Sequence, residues 1–311
     1  MRKVIIGIVV GAMGATLVTA GFAVSKGVSF AADIVSWGRS LQDAKHAERL
    51  EKRTFPLDGL KELEIESHAG DIAIEESDVS EVQVIASLRA IGKDEEVAEK
   101  HLADLRWTSE IKGGTLKIAS QPVETGFSFS FESGGLKLQN RAINFRVLLP
   151  KGAKLPVKAE GDSGDVTLSR LQAGASVSVG SGNIITHDVQ GELEVTADSG
   201  KVAVNGGAGH LKVETGSGTV QINERAGTLT VETGSGDVTL QQSKANAPSI
   251  SLETGSGDVE AKLSRRASWR FKLDASVGTI DNALPSSGEG PNSHNFEAST
   301  GSGNITIKAN S

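Results

Sequence analysis

Gly-Ser-Gly tripeptides recur along the second half of this chain at fixed intervals, and little else so limits what it can fold into. The fullest copies are VETGSGTVQI (213–222), VETGSGDVTL (231–240) and LETGSGDVEA (252–261). Looser ones are VSVGSGNIIT (177–186), VTADSGKVAV (195–204) and ASTGSGNITI (298–307). The last glycine of each motif falls at 164, 182, 200, 218 and 236, a constant spacing of 18, and then at 257, 278 and 303. A constant period followed by small insertions marks stacked repeats whose insertions fall in loops.

Apolar residues alternate on both sides of each motif: Leu211 and Val213 before one corner, Val220 and Ile222 after it. Period-2 alternation sends these inward and leaves Lys212 and Glu214 in water. Each repeat therefore reads as strand, Gly-Ser-Gly corner, strand, second corner, as in NERAG (223–227). About four inward side chains per coil supply roughly 6–12 kcal/mol of gross burial. Ordering the backbone costs about 1–2 kcal/mol per residue. One coil cannot stand alone, so coils must stack. The expectation is an all-β, single-stranded parallel β-solenoid of ~18-residue coils over 155–311. A stack of antiparallel hairpins is the rival, since a four-residue loop also closes a hairpin.

Upstream, HAGDIAIEES (68–77) is a diverged copy of the motif, with Gly70-Asp71 in place of Gly236-Asp237. EVQVIASLRA (81–90) and GTLKIAS (114–120) read as strands, and AINFRVLLPKGAKLPVKAEG (142–161) as two strands around a turn. KDEEVAEKHLADLRW (93–107), acidic at its start with Val97, Leu102 and Leu105 at helical spacing, reads as a helix. Residues 54–154 form a capping and first β region with this one helix, and 121–141 a mobile loop or irregular hairpin. Polar residues 33–53 suit a short helix or juxtamembrane stalk.

Residues 4–24 are 21 uncharged, mostly apolar positions after Met1-Arg2-Lys3. About 20 residues at 1.5 Å each span a bilayer, and the basic start places the remaining chain outside the cytoplasm. The expectation is a single-pass membrane anchor over 1–32 with an extracytoplasmic C-terminal region. A cleaved signal peptide, with small residues around 29–31, is the competing reading and would make the protein secreted.

The absence of Cys excludes disulfides and thiolate chemistry. The net charge of −7 disfavours nucleic acid as a partner. The residue after the last glycine, Asp165, Asn183, Lys201, Thr219, Asp237, Asp258, Thr279 and Asn304, is too varied for a calcium ladder, which needs oxygen donors in every layer. No metal or cofactor is expected. Glu214, Glu232 and Glu253 fall at equivalent outward positions and form a candidate ligand or partner surface. Arg265, Arg266, Arg270 and Lys272 in SRRASWRFK (264–272) form another, suited to an anionic polymer or headgroup. For each, an ordinary solvated face is the competing reading. The six His are scattered, and no nucleophile elbow, HExxH or phosphate loop occurs, so no catalytic residue is assigned. A β-helix carbohydrate-active enzyme is kept as the alternative, with Glu160, Asp162 and Asp165 close in sequence.

The apolar N-terminus, the GDIAIE strand pair, the VLLPKGAKLPV segment and the reiterated ETGSGDV strands together resemble the bacterial putative-adhesin family of β-strand-repeat proteins, which includes LiaG-like membrane proteins. The resemblance covers roughly 55–308. It implies a non-enzymatic, envelope-facing β-helix acting in adhesion, as a scaffold or in envelope stress, with an envelope polymer or membrane protein as partner. It carries no catalytic residues.

Overall fold

The structure, a computed structural model, describes residues 6–8, 45–122, 128–130, 135–137, 141–286 and 293–310. Two long sheets of 13 and 11 strands face one another, and the chain passes between them at glycine corners. Among the described residues nine coils make the stack. The first is Glu62–Ser67 with Ile72–Ser77, and the second is Val157–Ser163 with Val166–Ser169. Five more follow in chain order, ending at Ser249–Ser256 with Val259–Ser264. Neighbouring coils pair in parallel, Leu193 on Leu211 and Val195 on Val213, so the solenoid expectation holds and the hairpin stack does not.

Parallel pairing without slippage puts like over like. One inward column runs Leu63, Val157, Ala175, Leu193, Leu211, Leu229, Ile250 and Phe296. Another, across the core, runs Ile72, Val166, Ile184, Val202, Val220, Val238, Val259 and Ile305. All are buried, and a one-residue slip would turn a whole strand's apolar set into water.

The corner glycines are required by contact as well as by dihedral angle. Gly218 and Gly236 have φ of +150° and +142°. A Cβ on Gly236 would lie 1.9 Å from the carbonyl oxygen of Gly218, and one on Gly218 would lie 1.8 Å from that of Gly200. The chain can stack its corners only where no side chain intervenes.

The acidic and amide residues beside these glycines have a structural task. Asp165 Oδ1 accepts the backbone N–H of Asn183 at 2.8 Å, and Asn183 Oδ1 that of Lys201 at 3.1 Å. The same bond links Asp71 to Asp165, Asp237 to Asp258, Asp258 to Asn304 and Asn304 to Thr279. These oxygens face amides of the adjacent coil. A second ladder, of Thr hydroxyls, stands inside the corner, where Thr215 and Thr233 hydrogen-bond at 2.8 Å.

The stacking order departs from chain order at the end. Ser293–Ser302 with Ile305–Asn310 lies directly on the seventh coil, and the earlier segment, Ser268–Val277 with Ile280–Asn282, lies outside it. The C-terminal coil is thus inserted beneath its predecessor, still in parallel register. Glycine spacing does not reveal this inversion, because either segment satisfies the same ladder.

The N-terminal end is capped. Arg141–Pro150 pairs in parallel with the first coil, and Val82–Gly92 and then Lys45–Phe55 add antiparallel strands. Lys45–Phe55 is a strand of 11 residues where a helix or spacer was expected. Only Ala47 in it is buried, so it shows no apolar alternation, and pairing with Val82–Gly92 fixes its conformation. The helix spans Glu95–Asp104, capped by Asp94, whose side chain accepts the Val97 N–H, and it buries Ala98 and Leu102. It packs on the strands 82–92 and 45–55, and a Cβ on Gly92 would meet the Ala98 nitrogen at 2.4 Å. Trp107, from the opposite sheet, donates to Glu51 at 2.8 Å while the Arg53 guanidinium lies 3.7 Å from its ring centroid. These contacts close the two sheets at this end.

Within 121–141, Ser128–Ser130 and Gly135–Lys137 pair antiparallel, and 123–127, 131–134 and 138–140 of that expected loop lie outside the described residues. So does the expected membrane segment 4–24, except Ile6–Ile8, a short strand beside Arg49–Glu51. Among the described residues no helix is long and apolar enough to cross a membrane.

Candidate functional site

The outward face of the 11-stranded sheet carries side chains in straight columns, because parallel register repeats every alternate residue. One column runs Glu66, Glu160, Ser178, Thr196, Glu214, Glu232 and Glu253, then Ser299 and Asp274. The three glutamates expected to align therefore do so in consecutive coils. Beside the corner they border a groove of about 420 Å³, which Thr196, Asp198 and the corner glycines complete. Asp198 was not singled out from the sequence. Its signal is its place in ADSGK, where it stands at the first glycine of the Gly-Ser-Gly motif.

Charge in the column is compensated unevenly. Lys212 lies 2.5 Å from Glu214, and that hydrogen bond holds the ammonium pKa above its ordinary value. At the other end of the face Lys117 meets Glu66 at 2.6 Å and Lys158 meets Glu160 at 2.7 Å. Glu232 and Glu253, both exposed, have no cation within ion-pair distance among the described residues. Stacked carboxylates about 4.8 Å apart repel one another. A cationic or hydrogen-bond-donating group in the groove would relieve that repulsion. No group of three or more His, Asp or Glu placed to hold a metal occurs among the described residues.

The basic residues are only partly brought together. Arg270 and Lys272 share the outward face of the end strand, where Arg270 donates to Asn295 at 3.2 Å and Lys272 pairs with Glu297. Arg265 and Arg266 stand exposed in the turn before that strand. Trp269 is buried behind them, as the alternation implies, against Phe296 and His294, with its indole N–H on the Ser264 carbonyl.

Glu160, Asp162 and Asp165 do not converge. Glu160 pairs with Lys158, Asp162 meets His68 Nδ1 at 2.7 Å, and Asp165 serves the backbone ladder.

Sequence reasoning missed Arg225, in the second corner NERAG. It is fully buried, and its guanidinium donates to the carbonyls of Val189 at 2.8 Å and Gly191 at 2.9 Å, in the coils beneath. Burial pulls its pKa down to about 10. The run Gly206-Gly207-Ala208-Gly209 makes the room, since a Cβ on Gly207 would lie 2.6 Å from the guanidinium. That run of small residues was the available signal.

The family model for Toastrack DUF4097 matches residues 60–308, the first coil through the last. The chain belongs to the Toastrack family. The match covers nearly the whole span on which the resemblance to adhesin-type repeat proteins rested. Among solved structures this Toastrack chain is similar to a putative adhesin from Bacteroides fragilis, with 14% identity, a TM-score of 0.43, and 84% of this chain and 97% of that one covered. A putative cell adhesion protein from Clostridium sporogenes has 14% identity, a TM-score of 0.25, and 85% and 100% covered. A putative lipid binding protein from Parabacteroides distasonis has 14% identity, a TM-score of 0.37, and 82% and 96% covered. No curated protein matches the sequence.

Proposed function

We propose that this Toastrack protein is a non-enzymatic adhesin or scaffold of the bacterial envelope, held at the membrane by residues 4–24 with its solenoid outside. The observation that carries the reading is the acidic column. Glu214, Glu232 and Glu253 repeat at the coil spacing along an open groove, and two of the three lack a cation partner among the described residues. A periodic, extended surface suits a periodic, extended partner: an envelope polymer bearing amino groups, or a strand-like region of a membrane protein with basic side chains. Regular spacing gives many weak contacts at once, and avidity multiplies them.

Full-length protein on beads, exposed to envelope extract, tests this. Retention of a polymer or protein that Glu214→Gln/Glu232→Gln/Glu253→Gln no longer holds is the expected result. Equal retention by the triple variant, or retention of nothing, counts against the reading. For the membrane, cell fractionation with and without residues 1–32 should move the protein from the membrane pellet to the soluble fraction.

A further inference from the structure

The two ends of the stack differ. Strands 141–150, 82–92 and 45–55 and the helix close the N-terminal end, whereas the strands Ser268–Val277 and Ile280–Asn282 are the last of their sheets. Beyond a bridge between Trp269 and Ser286, no described strand pairs with the outer edge of 268–277. Apart from that bridge, no layer lies on top of this coil among the described residues. Ile280 sits directly over Ile305, which is fully buried, yet is itself 46% exposed. Val277, at the corner of the same coil, is 67% exposed. These are two of the four large exposed apolar residues among the described residues.

An exposed edge is ordinarily guarded by like charges that repel a second edge. Here the outward residues carry both signs, Arg270, Lys272 and Asp274, with Lys272 at the centre and already paired with Glu297. Reversed on itself, the pattern is complementary at its two flanks, and at the centre Lys272 meets its own copy with each ammonium held by Glu297. An antiparallel copy centred on Lys272 sets Arg270 of each chain opposite Asp274 of the other. It also sets Phe271 opposite Leu273 on the inner face, where both are only partly buried in one chain. Among the described residues Arg270 donates to the neutral Asn295 and to no carboxylate, so its charge remains available.

We propose that two copies of this protein pair end to end, antiparallel along Arg270–Asp274, joining two solenoids into one continuous pair of sheets. The pairing is isologous, so it closes as a dimer and does not propagate into fibres. It stands whether or not the acidic groove binds a ligand.

Sedimentation velocity on the full chain in detergent decides the matter. Wild type should form a concentration-dependent dimer. Arg270→Asp and Asp274→Arg should each weaken it by about ten-fold or more, because both 270–274 pairs across the interface become like-charged. Mixing the two single variants makes every such pair opposite again and should restore a dimer with one chain of each. The double variant R270D/D274R should also dimerise. Both positions are exposed, so at concentrations where wild type is monomeric the variants should keep its melting temperature. Association through residues 4–24 would ignore these charges. A monomeric wild type, single variants that dimerise as well as wild type, or a mixture that stays monomeric would overturn the proposal.

Discussion

At single positions the fold tolerates almost no chemistry at the glycine corner and a great deal beside it. Gly236→Ala would drive a methyl into the Gly218 carbonyl at a φ that side chains rarely adopt. A loss of about 2–4 kcal/mol is expected in denaturant unfolding. Its neighbour Ser235 is exposed, and Ser235→Ala should change stability by less than about 0.5 kcal/mol. Arg225 is the opposite extreme, a buried cation held by carbonyls. Because burial lowers its folded pKa to about 10, the charge costs the fold at neutral pH, and that cost diminishes as pH rises past 10. Removing it is worse, since Arg225→Ala takes the guanidinium donor from the Val189 and Gly191 carbonyls in a buried corner and leaves a cavity. We expect a loss of about 3–5 kcal/mol by urea denaturation, with Arg225→Lys falling between.

At the scale of the repeated element, the Asp/Asn ladder replaces the calcium that a glycine-rich, acidic turn suggests. Its oxygens are engaged by amides of the next coil at 2.7–3.1 Å. Neither EDTA nor added Ca²⁺ should shift the melting temperature, and a shift of many degrees would contradict the ladder. Asp165→Ala removes the acceptor of the Asn183 amide and should cost about 1–2 kcal/mol, with Asp165→Asn close to neutral. Lys201 and Thr219 interrupt the series, which explains how the position varies in sequence while the coil stays the same.

For the whole molecule, stability should be flat across a wide pH range and fall at both ends. Hydrogen bonds from Ser87 to Glu48 and from Lys308 to Glu260 lower those carboxyl pKa values, so their contribution is lost as pH drops through and below the ordinary 4.5. The hydrogen bond from Lys117 to Glu66, and that from Lys158 to Glu160, raise the lysine pKa values. Their contribution is present below the ordinary 10.5 and is lost as pH climbs above it. Thermal melts from pH 3 to 11 would show the plateau, and steady change through neutrality would refute it. The inverted last coils make a separate prediction. Deleting 293–311 removes the layer on which 268–282 rests, so hydrogen exchange should show 268–282 unprotected while 157–242 stays protected.

Much of this was legible in the chain itself. Glycine spacing and period-2 alternation fixed the coil, its parallel stacking and the glutamate column, because each is a local pattern repeated in register. Gly70-Asp71 even marked the first coil, although the 82–150 excursion separates it from the second. The tertiary structure alone decided which coil lies on which at the C-terminal end, since equivalent repeats satisfy the same backbone ladder in either order. It alone made Lys45–Phe55 a strand, because a mostly solvated strand has no alternation to read and takes its shape from its partner. The Arg225 corner and the open edge at 268–277 are tertiary for the same reason: burial and exposure at those positions depend on what lies in the neighbouring layer.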